Sequence, residues 1–424
     1  MLHYLMSSQP LNTLTGLACR RLRTPDFIME NVYIEFDDSK IAGMGDFQSN
    51  WLPPGAYNAR EDNLTVIPGL VDVHVHGAGG IDFLNADQAG LERISRVAAS
   101  GGCTSMVATT TLANDDAELR DFERFVKLLR ENGGLHHNPA DTKVSKLPGT
   151  RVIGIHLEGP FLNPDRRGAF TQRFLRTPDV NIARRVVEIC GDLLLKVTMA
   201  PELPNGEDVV RVFTEEASHP VEVSIGHTTC DYAFAMKLFE DPHLRQVTHC
   251  FNAMNGLHHR AANMITAALL DSRVSLEIIA DGLHVAPPVV QLLHQIVGAN
   301  RLIAITDGAS SAGMPTGSIF EAFSGQAMVH PDSGVRRTSD HVLVGSSALM
   351  HDIMLRLQRY TDVAFKEALL MCTVNPAKSV NRFNQIASAD RGKLADFVVL
   401  RNEDTVVATI RDGRLVYQEN DDPT

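Results

Sequence analysis

Between about residue 66 and residue 310, short apolar runs alternate with longer stretches whose apolar positions recur every three to four residues. The short runs are 66–73 (VIPGLVDV), 103–109 (CTSMVAT), 151–157 (RVIGIHL), 194–200 (LLKVTMA), 221–226 (VEVSIG), 246–249 (QVTH), 274–280 (VSLEIIA) and 302–306 (LIAIT). Each has the length and side chains of a strand, the sixth being short enough to pass for a loop. The segments between them, Leu91–Ser100, Asp116–Asn132, Val180–Cys190, Glu207–Ala217, Tyr232–Glu240, Met264–Leu270 and Pro287–Val297, are compatible with helices. Eight such alternations predict an α/β chain folded as a (β/α)8 TIM barrel rather than an open sheet.

The flanks follow a different period. Residues 27–46 and 392–418 alternate as antiparallel strands do, with turn signals at Asn402–Asp404 and Asp412-Gly413. Both ends are expected to pair into one small β-sandwich, with 1–65 its N-terminal part, 66–376 the barrel and 377–424 its C-terminal part. A separate C-terminal domain is the alternative. Leu135–Leu147, with His136 and His137, reads as an exposed loop.

Composition narrows the class. The 424 residues are 44% hydrophobic and 21% charged, ordinary for a globular protein, and the net charge of −12 argues against nucleic acid or an anionic membrane as partner. No apolar run approaches the roughly 20 residues a membrane helix needs, and the opening MLHYLMSSQPLNTL lacks the basic start of a signal peptide. Six cysteines without a C-x-x-C pair fit reduced thiols. A soluble, cytoplasmic protein is expected.

The chemistry concentrates at strand ends. His74 and His76 are two residues apart at the end of the first run, which puts both imidazoles on one face of a strand, an arrangement suited to a divalent metal. Active sites of such barrels form at the C-terminal ends of the strands. Those ends carry Glu158 (third run), His227 (fifth), His249 (sixth) and Asp307 (eighth). Lys196 in the fourth run does not stand at a strand end and is set aside as a ligand.

The order H-x-H, Glu, His, His, Asp resembles that of the amidohydrolase superfamily of metal-dependent hydrolases. The motifs PGLVDVHVHG, HLEGPF, GHT, THCFNAM, IADGLHV and ITDG, with GKLADFVVL near the C-terminus, resemble the N-acetylglucosamine-6-phosphate deacetylase family over about 66–400. The resemblance implies that Glu158, His227 and His249 hold one metal, and that His74 and His76, with Glu158 bridging, hold a second. One or two divalent ions per chain follow, zinc first, with iron or manganese compatible with the same donors. It implies that Asp307 carries the proton from attacking water to the departing amine. Asn252 and Ala253 match a sugar-phosphate contact, Arg260 a phosphate-binding arginine and His284 a substrate-contacting histidine. Ala169, Asp281, Leu343, Val344 and Gly345 are further candidates for substrate binding.

The reaction so implied is hydrolysis of N-acetylglucosamine-6-phosphate to glucosamine-6-phosphate and acetate, by a homodimer. The galacto epimer and another amidohydrolase reaction are the alternatives, with a non-catalytic sugar-phosphate-binding protein as the reading from a different class. One position departs from the family's pattern. In the run Arg166-Arg167-Gly168-Ala169-Phe170, phenylalanine stands where the resemblance expects a histidine that polarises the acetamide carbonyl, and a phenyl ring cannot donate a hydrogen bond.

Overall fold

The computed structural model describes residues 13–47, 52–112, 116–133, 145–322, 325–331 and 334–421. His136 and His137 lie outside them. The barrel strands are β1 (Leu70–Val75), β2 (Cys103–Thr110), β3 (Arg151–Glu158), β4 (Leu194–Met199), β5 (Glu222–Ile225), β6 (Gln246–Val247), β7 (Ser275–Ile279) and β8 (Leu302–Ile305). They are hydrogen-bonded in that order, all parallel. A parallel bridge from Val75 to Gly308 closes the ring, with the Asp307 amide donating to His74 O at 2.9 Å and the His76 amide to Gly308 O at 2.7 Å. The chain is a (β/α)8 barrel, as the eight alternations predict.

Four helices, Asp116–Asn132, Val180–Cys190, Met264–Leu270 and Pro287–Val297, have the expected bounds. The first begins earlier, at Gln88, because Asp87 caps it through the Gly90 amide. The stretch 207–217 is α-helical only over Gly206–Arg211 and continues as a π turn, Val212–Glu216.

Both termini meet in a second, eight-stranded sheet. Its strands are Gly16–Arg23, Ile28–Asp37, Lys40–Asp46, Ala56–Ala59, Leu64–Pro68, Phe397–Arg401, Thr405–Arg411 and Arg414–Gln418. Phe397–Arg401 runs antiparallel to Leu64–Pro68, and Leu22 pairs with Val66, so the ends are stitched together as expected. The sheet encloses Leu17, Leu22, Val32, Ile34, Val66, Val399 and Ile410, with the Phe36 ring stacked on Phe397 at 5.9 Å.

The apolar run 66–73, expected as one strand, is two. Val66 and Ile67 belong to the terminal sheet, and the barrel begins at Leu70. The chain crosses between them at Gly69, where a Cβ would fall 2.2 Å from the Thr104 hydroxyl.

The two units are bolted together by a buried ion cluster. Arg151, at the start of β3, donates to both oxygens of Asp396 (2.6 and 2.5 Å) and to Asp412 (2.9 Å). Removing one partner strands a charge out of water, so Asp396→Ala is expected to cost about 3–5 kcal/mol. Urea unfolding followed by circular dichroism measures this as a lowered midpoint, and an unchanged midpoint contradicts it.

Alternation within the barrel strands sorts side chains to two faces. Apolar residues of the outer face pack under the helices, as Leu70, Met106, Ile155, Val197 and Ile225 do. The inner face carries a polar layer. His156 Nε2 lies 2.8 Å from the Thr198 hydroxyl, which lies 2.7 Å from Thr248, which donates to Ser224 at 2.6 Å. Lys196 reaches across to Glu277. These hydrogen bonds connect different strands through the barrel interior, directly beneath the residues at its C-terminal mouth.

Candidate active site

Five strand ends turn a ligand-type side chain into that mouth. His74 lies in β1 and His76 directly follows it, their rings 5.4 Å apart, and Glu158 is the last residue of β3. His227, His249 and Asp307 each stand two residues beyond the end of β5, β6 or β8. All three have left-handed backbone, with φ of +49°, +30° and +46°. Few residues other than glycine adopt it, and such conformations gather at functional sites. The kink takes each chain out of its strand while keeping the side chain over the barrel axis.

Two triads result, each with its donor atoms within 4.8 Å of one another: His74, His76 and Glu158, and Glu158, His227 and His249. Glu158 belongs to both, its Oε2 lying 3.0 Å from His76 Nε2 and its Oε1 3.2 Å from His227 and 3.0 Å from His249. Asp307 Oδ1 stands 3.3 Å from His74 Nε2 and 3.4 Å from His76 Nε2.

The donor set fits divalent cations. His227 Nδ1 donates to the Arg166 carbonyl at 2.9 Å, so the neutral ring turns the Nε2 lone pair toward Glu158 Oε1 and toward His249 Nε2 at 3.1 Å. His74 Nε2 is buried without a hydrogen-bond partner, although two carboxylates face it. A lone pair set against a carboxylate oxygen, as at His227 Nε2, repels it unless a cation lies between them. Nitrogen and carboxylate donors in sets of three are the ligand chemistry of zinc, iron and manganese.

The electrostatics agree. Burial pushes the Glu158 carboxyl up, but the charge of His74 and the hydrogen bonds of His227 and His249 hold it well below the ordinary range. Burial opposes charge on His76, yet Asp307 and Glu158 raise its pKa to about 9. Burial likewise works to raise Asp307, and His74 and His76 outweigh it, so this carboxylate stays ionised. The pocket attracts positive charge.

A cavity of about 230 Å³ opens onto these groups. Of the candidate substrate residues, Ala169, Asn252, Ala253, His284, Leu343 and Gly345 line it together with His76, Glu158, His227, His249 and Asp307. Asp281 acts behind them: its carboxylate accepts from His284 Nδ1 at 2.6 Å and from the amides of Leu283 and His284 at 2.9 Å, which fixes the His284 ring.

Two of the candidate residues lie off this cavity. Val344 does not line the cavity, although Val342, Leu343 and Gly345 do; its side chain is buried against Phe320, Ala327, Val329 and Val335. Arg260 is exposed on the loop before the Met264 helix and is not among the lining residues. Phe170 does line the cavity, its ring 5.2 Å from that of His227 and packed with Leu162, Phe174 and Leu175. That wall is apolar.

Other residues of the site escaped the sequence reading. Glu277 on β7 lies 3.2 Å from His74 Nδ1 and binds Lys196. Asp72 accepts from the His74 amide at 3.3 Å. For Glu277 the signal was available: a charged residue inside an otherwise apolar strand. The strands Ile319–Ala322, Gly325–His330 and Gly334–Arg337 form a small antiparallel sheet after β8, unread in the sequence. It reaches the cavity wall, where Arg337 donates to the Ala169 carbonyl at 3.1 Å.

Residues 65–416 match the model of the amidohydrolase family. The chain belongs to the amidohydrolase family. Members are metal-dependent hydrolases, in keeping with the two triads. Within the family, the chain is 31% identical over 358 residues to N-acetylglucosamine-6-phosphate deacetylase of Vibrio furnissii, covering 84% of each protein, and it stands in that deacetylase branch. It is 28% identical over 384 residues to N-acetylgalactosamine-6-phosphate deacetylase of Escherichia coli O157:H7, covering 91% of this chain and 94% of the relative. A solved structure of the Mycobacterium smegmatis N-acetyl-D-glucosamine-6-phosphate deacetylase, in complex with N-acetyl-D-glucosamine-6-phosphate, superposes with a TM-score of 0.82. It is 26% identical, with 96% of this chain and 100% of that one covered.

Proposed function

We propose that this amidohydrolase cleaves the acetamide of N-acetylglucosamine-6-phosphate, giving glucosamine-6-phosphate and acetate. The observation that carries the reading is Glu158 shared between two ligand triads, with the Asp307 carboxylate beside both and a sugar-sized cavity over them. The names of the relatives at 31% and 26% identity support the substrate.

Glu158, His227 and His249 would hold one divalent ion, and His74, His76 and Glu158 a second, with zinc preferred and iron or manganese compatible. Such an ion supplies a Lewis acid for an amide oxygen and makes water acidic enough to attack at neutral pH. Asp307, ionised and at the cavity edge, takes a proton from the attacking water. It returns that proton to the nitrogen as the C–N bond breaks, so water's oxygen ends in acetate and its hydrogens are shared between the products. Asn252, His284 and the backbone at Ala169 and Gly345 orient the sugar. Phe170 contributes surface, not a hydrogen bond.

Arg260 suits a phosphate by its charge, and its exposed loop suits a homodimer in which this segment serves the bound sugar phosphate. A cytoplasmic setting is supported by six free cysteines, all buried. Among the described residues, no helix is long and apolar enough to cross a membrane.

Acetate release from N-acetylglucosamine-6-phosphate, its galacto epimer and unphosphorylated N-acetylglucosamine tests the substrate. The gluco phosphate is expected to give the highest kcat/KM, and the unphosphorylated sugar at least about tenfold less, the loss of one charge-assisted contact. Preference for the galacto epimer would reassign the sugar; equal rates with and without phosphate would remove the sugar phosphate from the reading.

A further inference from the structure

We propose that Lys196 and Glu277 are positioning residues that make the His74 corner a metal position in its own right. The inference rests on the metal reading above and concerns side chains outside both triads.

Lys196 is wholly buried on β4, and its ammonium binds Glu277 Oε1 across the barrel. Paired with that cation, Glu277 is a carboxylate and can only accept hydrogen bonds. Its other oxygen, Oε2, lies 3.2 Å from His74 Nδ1 and accepts from the His249 amide at 3.4 Å. His74 Nδ1 must therefore carry a hydrogen, so the neutral ring, the form that binds a metal, offers its lone pair at Nε2. That atom is the one buried without a hydrogen-bond partner, facing Asp307 Oδ1 at 3.3 Å and Glu158 Oε2 at 3.6 Å. The ring is held on its other side by His156, whose centroid lies 4.6 Å away edge-on and which is itself fixed between Thr109 (3.3 Å) and Thr198 (2.8 Å). Lysine, carboxylate and imidazole thus form one line ending in a donor atom aimed at the Glu158–Asp307 edge. Outer carboxylates that hold a ligating histidine this way typically tune metal affinity 10–100-fold. In the other triad the His227 ring is held by the Arg166 carbonyl, and Glu277 reaches that triad only through the backbone amide of His249, not through a ligating ring.

The test replaces the pair together, Lys196→Met with Glu277→Gln, so that no unpaired charge is left in the barrel. Metals per chain are counted across a series of buffered free zinc concentrations, and the melting temperature of the metal-free protein is recorded alongside. The wild type is expected to load in two steps. In the double variant one step should weaken about 10–100-fold while the other stays where it was. Two unchanged steps, or two that weaken together with a loss of metal-free stability, would overturn the positioning role. A wild type that binds no metal at all would instead overturn the metal reading.

A second measurement needs no folded variant of the pair. In zinc-loaded, ¹⁵N-histidine-labelled wild type, long-range ¹H–¹⁵N correlations should show His74 protonated at Nδ1, its signals assigned by their loss in His74→Gln. Protonation at Nε2 would contradict the proposal.

Discussion

Asp307→Asn is expected to lower kcat about 10²- to 10⁴-fold, the range that general acid–base catalysis contributes, with the metal count unchanged. The substitution is a clean one. Asparagine keeps the shape and tolerates the left-handed backbone that Asp307 adopts at φ +46°. What it loses is the ionised oxygen 3.3 Å from His74 Nε2 and 3.4 Å from His76 Nε2, the atom proposed to take and return the proton. Steady-state kinetics with metal analysis on the same preparation checks this. A variant with near-normal kcat would remove Asp307 from the chemistry, and one that has shed its metal would make it a ligand instead.

Glu158→Ala is expected to do more. Glu158 contacts His76, His227 and His249 through its two oxygens, so no other single residue serves both triads. Its loss removes an anion from each metal position and leaves imidazoles facing one another in a buried pocket. Metal per chain should fall toward zero, and activity should fall by more than the 10²–10³ that losing one oxyanion donor typically costs. His227→Ala, by contrast, touches only one triad and should leave the His74–His76 corner able to load. Elemental analysis after dialysis separates the two cases. Equal metal retention in both variants would contradict a shared ligand.

The main features were legible because they follow simple periods. Buried parallel strands read as apolar runs, and a ligand pair on one face of a strand reads as H-x-H. The strand-end positions of Glu158, His227, His249 and Asp307 are the positions a barrel enzyme uses. The Gly69 crossing was not legible, because Val66–Val73 is apolar but for Asp72 while its two halves serve different sheets. Lys196 was set aside for not being at a strand end, yet its place in the interior is what lets it meet Glu277. Val344 shows the cost of carrying over a run as a block: its side chain packs into the small apolar cluster beside the cavity while Leu343 and Gly345 on either side line it. The small sheet over 319–337 mixes polar and apolar residues in strands of four to six residues, too short for a period to show.

The most direct measurement returns a divalent ion to chelated protein while acetate release from N-acetylglucosamine-6-phosphate is followed and metals per chain are counted. Activity is expected to be absent at the start and to rise with occupancy, reaching its plateau at about one or two ions per chain. Full activity without metal, or no acetate from fully loaded protein, would contradict a metal-dependent deacetylase built on Glu158 and Asp307.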